Sequence, residues 1–281
     1  MFWREILSAI GFLAIAGGAI LVYAFHQHVG HEIETLLDRI DDSTSAMIQP
    51  TDYADVPAPV HSYFEAIGIE GQSAVRSVRL KQRGQMRTSP GGAWIPIEAA
   101  QYISVDPPGF VWLAKTRIIG VLPMWVRDKF AGGHGEMWIR PLGLITAGRS
   151  SGAEIDQGTM LRYLAEMAWF PTALLPGEHL HWESIDDRSA RAIFTLDEQS
   201  VAATFEFGDS GLIERVEAQR YYDTGNGYEL KPWSGIHTDY REVDGVLIPT
   251  GAELTWHLDD GDFTWLNLAI TEIEFDNPTL Y

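Results

Sequence analysis

The spacing of apolar positions divides the chain into three stretches. From Ile6 to Phe25, twenty residues run without a charge. At 1.5 Å rise per residue, a helix of that length spans about 30 Å, the thickness of a bilayer's hydrocarbon core. Trp3 and Tyr23 stand near its ends, Arg4 precedes it, and Glu32, Glu34 and Asp38 follow it. Interfacial aromatics and a basic N-terminal flank predict a single-pass anchor over residues 1–28, N-terminus inside and the remainder outside. A cleaved signal peptide is the rival, but Val22 is not the small residue that a cleavage site wants. Ala14 and Gly18 would let two such helices approach closely, although small residues are common in such helices anyway.

A second stretch has helical period. Val29, Ile33, Leu36, Leu37 and Ile40 share one helical face, with charged residues between them. This predicts a short amphipathic helix that packs on the domain or lies at the membrane interface. Residues 42–59 are polar and Pro-containing and read as a linker, so 29–59 is expected to be connector and linker.

The third stretch, residues 60–281, changes to period two after a short helix marked by Val60, Tyr63, Phe64 and Ile67. Between Ser73 and Arg87, Val78, Leu80 and Met86 alternate with Arg79, Lys81 and Arg83. Further strands are expected at about 94–104, 109–119, 123–131, 135–146, 180–185, 190–196, 200–207, 211–222, 236–242, 246–257 and 262–275. The breakers between them include Pro90-Gly91-Gly92, Gly120 to Pro123, Asp209-Ser210-Gly211 and Asp259-Asp260-Gly261. Such short loops imply antiparallel hairpins. One helix interrupts, with Asp156 as its expected cap and Met160, Tyr163, Leu164 and Met167 as its buried stripe, ending before Pro171. About a dozen strands are too many for a flat sheet. The expected fold is therefore mainly β: a curved antiparallel sheet forming a half-open barrel with a helix lid, preceded by one transmembrane helix.

Composition narrows the functions. There is no cysteine, which excludes a disulfide framework, a thiol nucleophile, a cysteine zinc site and a lipid-modified cysteine anchor. The net charge of −19 argues against nucleic-acid binding. No Ser-hydrolase elbow, zinc-protease helix, P-loop or dinucleotide fingerprint occurs, so no catalytic residue, cofactor or metal site is assigned. His179, His181 and Glu183 alternate along one strand, but at about 3.4 Å per residue they span too far to share an ion without a bend. His134, between glycines and near Asp128 and Glu136, is the nearest approach to a His–carboxylate pair, although such glycines usually serve the turn. Arg162 and Glu166, four apart, are most simply a surface ion pair.

Nine of the ten tryptophans lie beyond residue 93. A curved sheet lined with them can enclose an apolar cavity, with Trp112, Trp125, Trp138, Met167 and Trp169 as candidate walls. A filled core uses the same residues. Arg79, Lys81, Arg83 and Arg87 form a basic stripe in an acidic protein. They would meet an anionic group or an acidic partner, or pair across strands, with Glu98 a plausible neighbour.

The block Arg162-Tyr163-Leu164-Ala165-Glu166-Met167-Ala168-Trp169-Phe170-Pro171-Thr172-Ala173-Leu174-Leu175-Pro176 resembles one in an uncharacterised bacterial domain family. So do Glu98–Tyr102, Pro108–Trp112, Asp239–Glu242 and Ile248–Thr250, in order over about residues 57–275. That family brings no catalytic residues with it. More loosely, the strand count and helix lid resemble the periplasmic lipoprotein carriers and their outer-membrane receptors, half-open barrels that hold acyl chains. The chain departs from both in lacking a cleaved signal and a lipobox cysteine. What this resemblance implies is a lipid or acylated ligand, handled while tethered to a bacterial inner membrane. The alternatives are a structural or interaction subunit that meets another envelope protein, and a hydrolase. The hydrolase requires a His such as His134 or His237 to meet a carboxylate and a hydroxyl.

Overall fold

The computed structural model describes residues 2–40, 47–118 and 122–281. The side chains of residues 2–4, 6–11, 13–15 and 118 lie outside the described residues, and so do residues 41–46 of the expected connector and linker and residues 119–121, where a breaker is expected. Helix α1 runs Phe2–Leu37, α2 Ala58–Ala66 and α3 Ala153–Glu166. The strands are β1 Ser77–Met86, β2 Ile95–Ser104, β3 Gly109–Ile118, β4 Leu122–Ala131, β5 His134–Pro141, β6 Gly148–Ser151 and β7 Leu180–Ser184. They continue as β8 Ser189–Leu196, β9 Gln199–Phe207, β10 Ile213–Asp223, β11 Tyr228–Val243, β12 Val246–Leu258 and β13 Gly261–Phe275.

All thirteen strands form one curved antiparallel sheet in the order β6-β5-β4-β3-β2-β1-β13-β12-β11-β10-β9-β8-β7. The path is a meander that starts in the middle, runs out to β6, crosses to the far edge at β7 and returns. Helix α3 makes that crossing over the inner face and touches β4–β6 on one side and β9 and β10 on the other. The edges β6 and β7 do not pair with each other, so the half-barrel stays open and α3 covers it.

Alternation assigns the faces. Along β3, Phe110, Trp112 and Ala114 point inward and are buried with the α3 stripe of Met160, Tyr163 and Leu164. Val111 points outward and packs against Phe25, Val29, Ile33 and Leu36 of α1. The expected amphipathic connector is thus the C-terminal part of one helix that begins at Phe2, and it seats on the outer face of the sheet. Among the described residues, no helix is long and apolar enough to cross a membrane.

That seat carries buried charge. The Arg127 side chain is 0% exposed, with Nε 3.1 Å from Glu32 of α1 and an ion pair to Glu136 of β5. Lys129 Nζ lies 2.6 Å from Glu32, and Trp138 places its ring 4.0 Å from the Arg127 guanidinium. His28 stacks on the same indole.

Three local expectations change. Ile48 and Tyr53, inside the expected linker, are buried because each adds a large side chain to the main core, where Tyr53 packs on Phe64 of α2. Asp156 does not cap α3, which starts at Ala153 after Gly152. It instead accepts from the Gly135 N–H at 2.6 Å. Strand β11 starts at Tyr228, eight residues earlier than the expected start at about 236. Pro232 pairs opposite Gln219 of β10 and precedes the ladder to β12, which begins at Trp233.

Replacing Arg127 by Met leaves Glu32 and Glu136 without their shared counter-charge. We expect a loss of about 3–5 kcal/mol in denaturant unfolding of the full chain. A loss under about 1 kcal/mol would mean that the seat of α1 does not depend on this cation.

Candidate functional site

A chamber of about 180 Å³ lies between α3 and the inner face of the sheet. One wall is β3–β5, with Trp112, Val126 and Met137; the opposite wall is β11–β13, with Trp233, Leu254 and Trp265. Trp169, in the 3₁₀ turn Met167–Trp169 that follows α3, closes one side. The helix approaches the sheet this closely because residue 135 is glycine. A Cβ there would stand 2.3 Å from Thr159 Oγ1.

A buried polar network borders the chamber. Arg162 Nη1 bonds Asp128 at 2.7 Å and its Nε bonds Glu166 at 2.7 Å. Gln101 donates to Glu166 at 2.6 Å, and Trp112 Nε1 donates to Gln82 at 2.8 Å. Arg162 and Glu166 are therefore not a surface pair. They sit on the face of α3 that the sheet covers. Burial raises the Glu166 carboxyl, and the Arg162 guanidinium only partly opposes it.

Three donors differ from this network. Trp169, Trp233 and Trp265 each bury an indole N–H with no partner. Buried His237 has an unpaired Nδ1, and burial pulls its imidazole down to about 4. Arg220 faces the same space and contacts the rings of Trp233 and Trp256 at 5.6 and 5.7 Å. Burial brings its guanidinium down to about 10, which still leaves it charged at neutral pH.

Of the predicted walls, Trp112 and Trp169 line this chamber, whereas Trp125 and Trp138 do not. Both sit on the outer face, where they pack against α1. Met167 is buried but lies outside the lining. The lining also takes Trp233, Trp265, Arg220 and His237, which sequence reasoning did not select as walls. Hairpin register carried the signal for the outer pair. Trp112 opposes Asp128, so Trp125, an odd number of residues away, must face the other side.

The basic stripe is engaged within the chain. Arg79 pairs with Glu274 at 2.8 Å, Lys81 with Glu272 at 2.7 Å and Arg83 with Glu98 at 3.6 Å. Arg87 donates to the Thr264 carbonyl at 2.5 Å and stacks on Trp94. His181 and Glu183 are exposed on edge strand β7. Among the described residues, no three His, Asp or Glu side chains are placed to share an ion.

A His does meet a carboxylate and a hydroxyl, but it is neither His134 nor His237. On the outer face, Ser234 Oγ lies 2.9 Å from His257 Nε2, and His257 Nδ1 lies 2.7 Å from Asp262. Arg215 approaches the same Nε2 at 3.3 Å, and Ser234 is 1% exposed. His134 contacts Asp156 at 3.2 Å and is otherwise exposed.

The match to known families falls on this domain. The model of a family of unknown function, DUF6544, fits residues 46–268. The chain belongs to the DUF6544 family. No curated protein matches it. Among solved structures, this DUF6544 chain is similar to a DUF1329 family protein from Desulfovibrio piger, with 13% identity, 83% of this chain and 96% of that one covered, and a TM-score of 0.44. It is also similar to a LolA superfamily protein from Nitrosomonas europaea, with 12% identity, 77% and 93% covered, and a TM-score of 0.42.

His237 gives the DUF6544 chamber a pH signature. Unfolded, its imidazole takes a proton near the ordinary value of about 6.5. Folded, it resists protonation down to about 4. Between those values the unfolded chain holds more protons, so stability is full above about 6.5 and falls as pH drops towards 4. We expect the parent to lose roughly 2 kcal/mol more than His237→Gln between pH 7 and 5, from urea midpoints. Parallel losses in the two proteins would mean that His237 is not held neutral by burial.

Proposed function

We propose that this protein is a membrane-tethered envelope protein whose inner chamber binds a small hydrophobic ligand or the end of a lipid or acyl chain. The observation that carries the reading is the chamber itself, apolar over most of its wall and framed by four indoles, Trp112, Trp169, Trp233 and Trp265. A well-packed core leaves few voids larger than a water molecule. At roughly 30 Å³ per water-sized group, about 180 Å³ holds some six such groups. That is below the 300–1,000 Å³ of drug-sized sites, so a whole acyl lipid would enter only in part or by parting α3 from the sheet.

Support for the tether comes from the charge-free run Ile6–Phe25 and from the apolar side chains beside it. Phe12, Ile20, Leu21 and Tyr23 of α1 are exposed, and so are Leu142 and Ile145 after β5. A Cβ on Gly18 would meet Leu144, and one on Gly143 would meet Val22, so the turn lies against that part of the helix. Exposed apolar groups gathered in this way suit a lipid surface. On this reading the domain stands outside the inner membrane.

The full chain is expected in the carbonate-resistant membrane pellet. Native mass spectra after gentle release should carry an extra mass that extracts into organic solvent. A soluble chain would sink the tether, and a clean apo mass that takes up no added fatty acid would sink the ligand.

The Ser234–His257–Asp262 contacts favour a second reading, a hydrolase. Against it, Ser234 is closed to an incoming electrophile and pairs with strands on both sides, opposite Glu217 and Thr255. We expect a fluorophosphonate probe to leave Ser234 unlabelled. An adduct there, lost in both Ser234→Ala and His257→Ala, would establish the hydrolase instead.

A further inference from the structure

The polar atoms of the chamber fall into two groups. Asp128, Arg162 and Glu166 satisfy one another, with Gln101 completing the set. The indole N–H groups of Trp169, Trp233 and Trp265 have no acceptor, although each is buried. Arg220 makes ring contacts but no hydrogen bond or ion pair among the described residues. Indole N–H and guanidinium can only donate. The unmet capacity around the chamber therefore consists mainly of donors and includes one positive charge without a contacting counter-ion.

We infer that the ligand is an amphiphile whose polar end is an anionic oxygen group, a carboxylate or a phosphate, that accepts hydrogen bonds from Arg220 and the indole donors while its apolar part fills the chamber. This rests on the hydrophobic-ligand reading and narrows it. A pure hydrocarbon would leave the donors unmet, and a cationic amphiphile would oppose Arg220. A neutral alcohol offers an acceptor but no charge. Arg220 suits this role because it lies close to Trp233 and stays protonated at neutral pH. The carboxylates of Asp128 and Glu166 hydrogen-bond Arg162 and act on Arg220 only from farther off, without contact.

The test holds the chain length constant so that tail burial cancels. Octanoate, octyl phosphate, 1-octanol and octylamine are titrated against the full chain in zwitterionic nanodiscs by tryptophan fluorescence, with empty discs subtracted. Because hydrogen bonds to a charged group are the strong ones, one or both anions should bind about tenfold or more tightly than octanol, with octylamine weakest. Whichever anion leads identifies the headgroup. Arg220→Gln should bring the anions to within about threefold of octanol. Trp233→Phe keeps a ring but removes one donor. It should weaken the anions about threefold and octanol, which accepts only a neutral hydrogen bond, by less; this provides a test if Arg220→Gln fails to fold. Octanol matching both anions, or an anion preference that survives both substitutions, would overturn the inference and leave the apolar chamber standing. No binding of any probe above the empty discs would remove the hydrophobic-ligand reading as well.

Discussion

The seam between β1 and β13 holds the fold together. Every other neighbouring pair in the sheet is consecutive in sequence, so a short turn sets its register. β1 and β13 stand nearly two hundred residues apart and have no turn to align them. What aligns them is chemistry across the seam. Arg79 grips Glu274 with two hydrogen bonds, and Lys81 reaches Glu272. Both cations lie over the ring of Tyr281. Farther along, Gly84 admits the β13 backbone, because a Cβ there would fall 2.0 Å from the Asn267 carbonyl oxygen. The basic stripe is thus accounted for inside the molecule. Its charges support the one register that locality cannot set, beside the buried alternation of Val78 and Leu80, in a contact that closes the longest loop in the sheet.

Closing that seam in mid-sheet leaves both edges, β6 and β7, at the far ends of the curve, and α3 is the chain that joins them. Its position follows from the topology and is adjusted by contacts such as Asp156 with Gly135 and the close pass of Thr159 over the same glycine. A bridging helix cannot touch the middle strands and both flanks equally. Where it stands off from the sheet, the chamber remains. The Arg162 network borders the space and resists collapse, since closing it would disturb charges that already satisfy one another. The crossing of the sheet and the wall of the chamber therefore meet on one element.

Much of this is legible in the sequence, and the exceptions have physical reasons. Hairpins are local, so alternation and turn residues mark nearly all of the strands. β11 is the instructive failure. Pro232 and Gly235 look like breakers, yet the β12 ladder has not begun at the proline, and Leu254 packs over the glycine. The site is harder to see. Arg162 and Glu166 have the spacing of any exposed helical ion pair, and only the sheet across from α3 makes them interior. Arg220 and His237 carry no local mark at all. Each sits in an ordinary alternating strand, and the chamber exists only once β10–β13 and β3–β5 face each other across the helix.

The tryptophans explain why composition could suggest a cavity but not build it. Strands β3–β5 bury aromatics on both faces. Inward, Trp112 joins the chamber; outward, Trp125 and Trp138 receive α1 through His26 and His28. An indole count is blind to that division, whereas parity along a hairpin is not. The same strands then serve two masters with opposite chemistry. The outer face closes a paired charge, Arg127 between Glu32 and Glu136, under the helix that leads to the N-terminus. The inner face leaves Arg220 facing the chamber with ring contacts but no ion pair among the described residues. The Arg127 ion is satisfied by contact, whereas Arg220 is met by aromatic rings and by the Asp128 and Glu166 carboxylates acting from farther off. That asymmetry, more than the number of aromatics, distinguishes the two faces of the sheet.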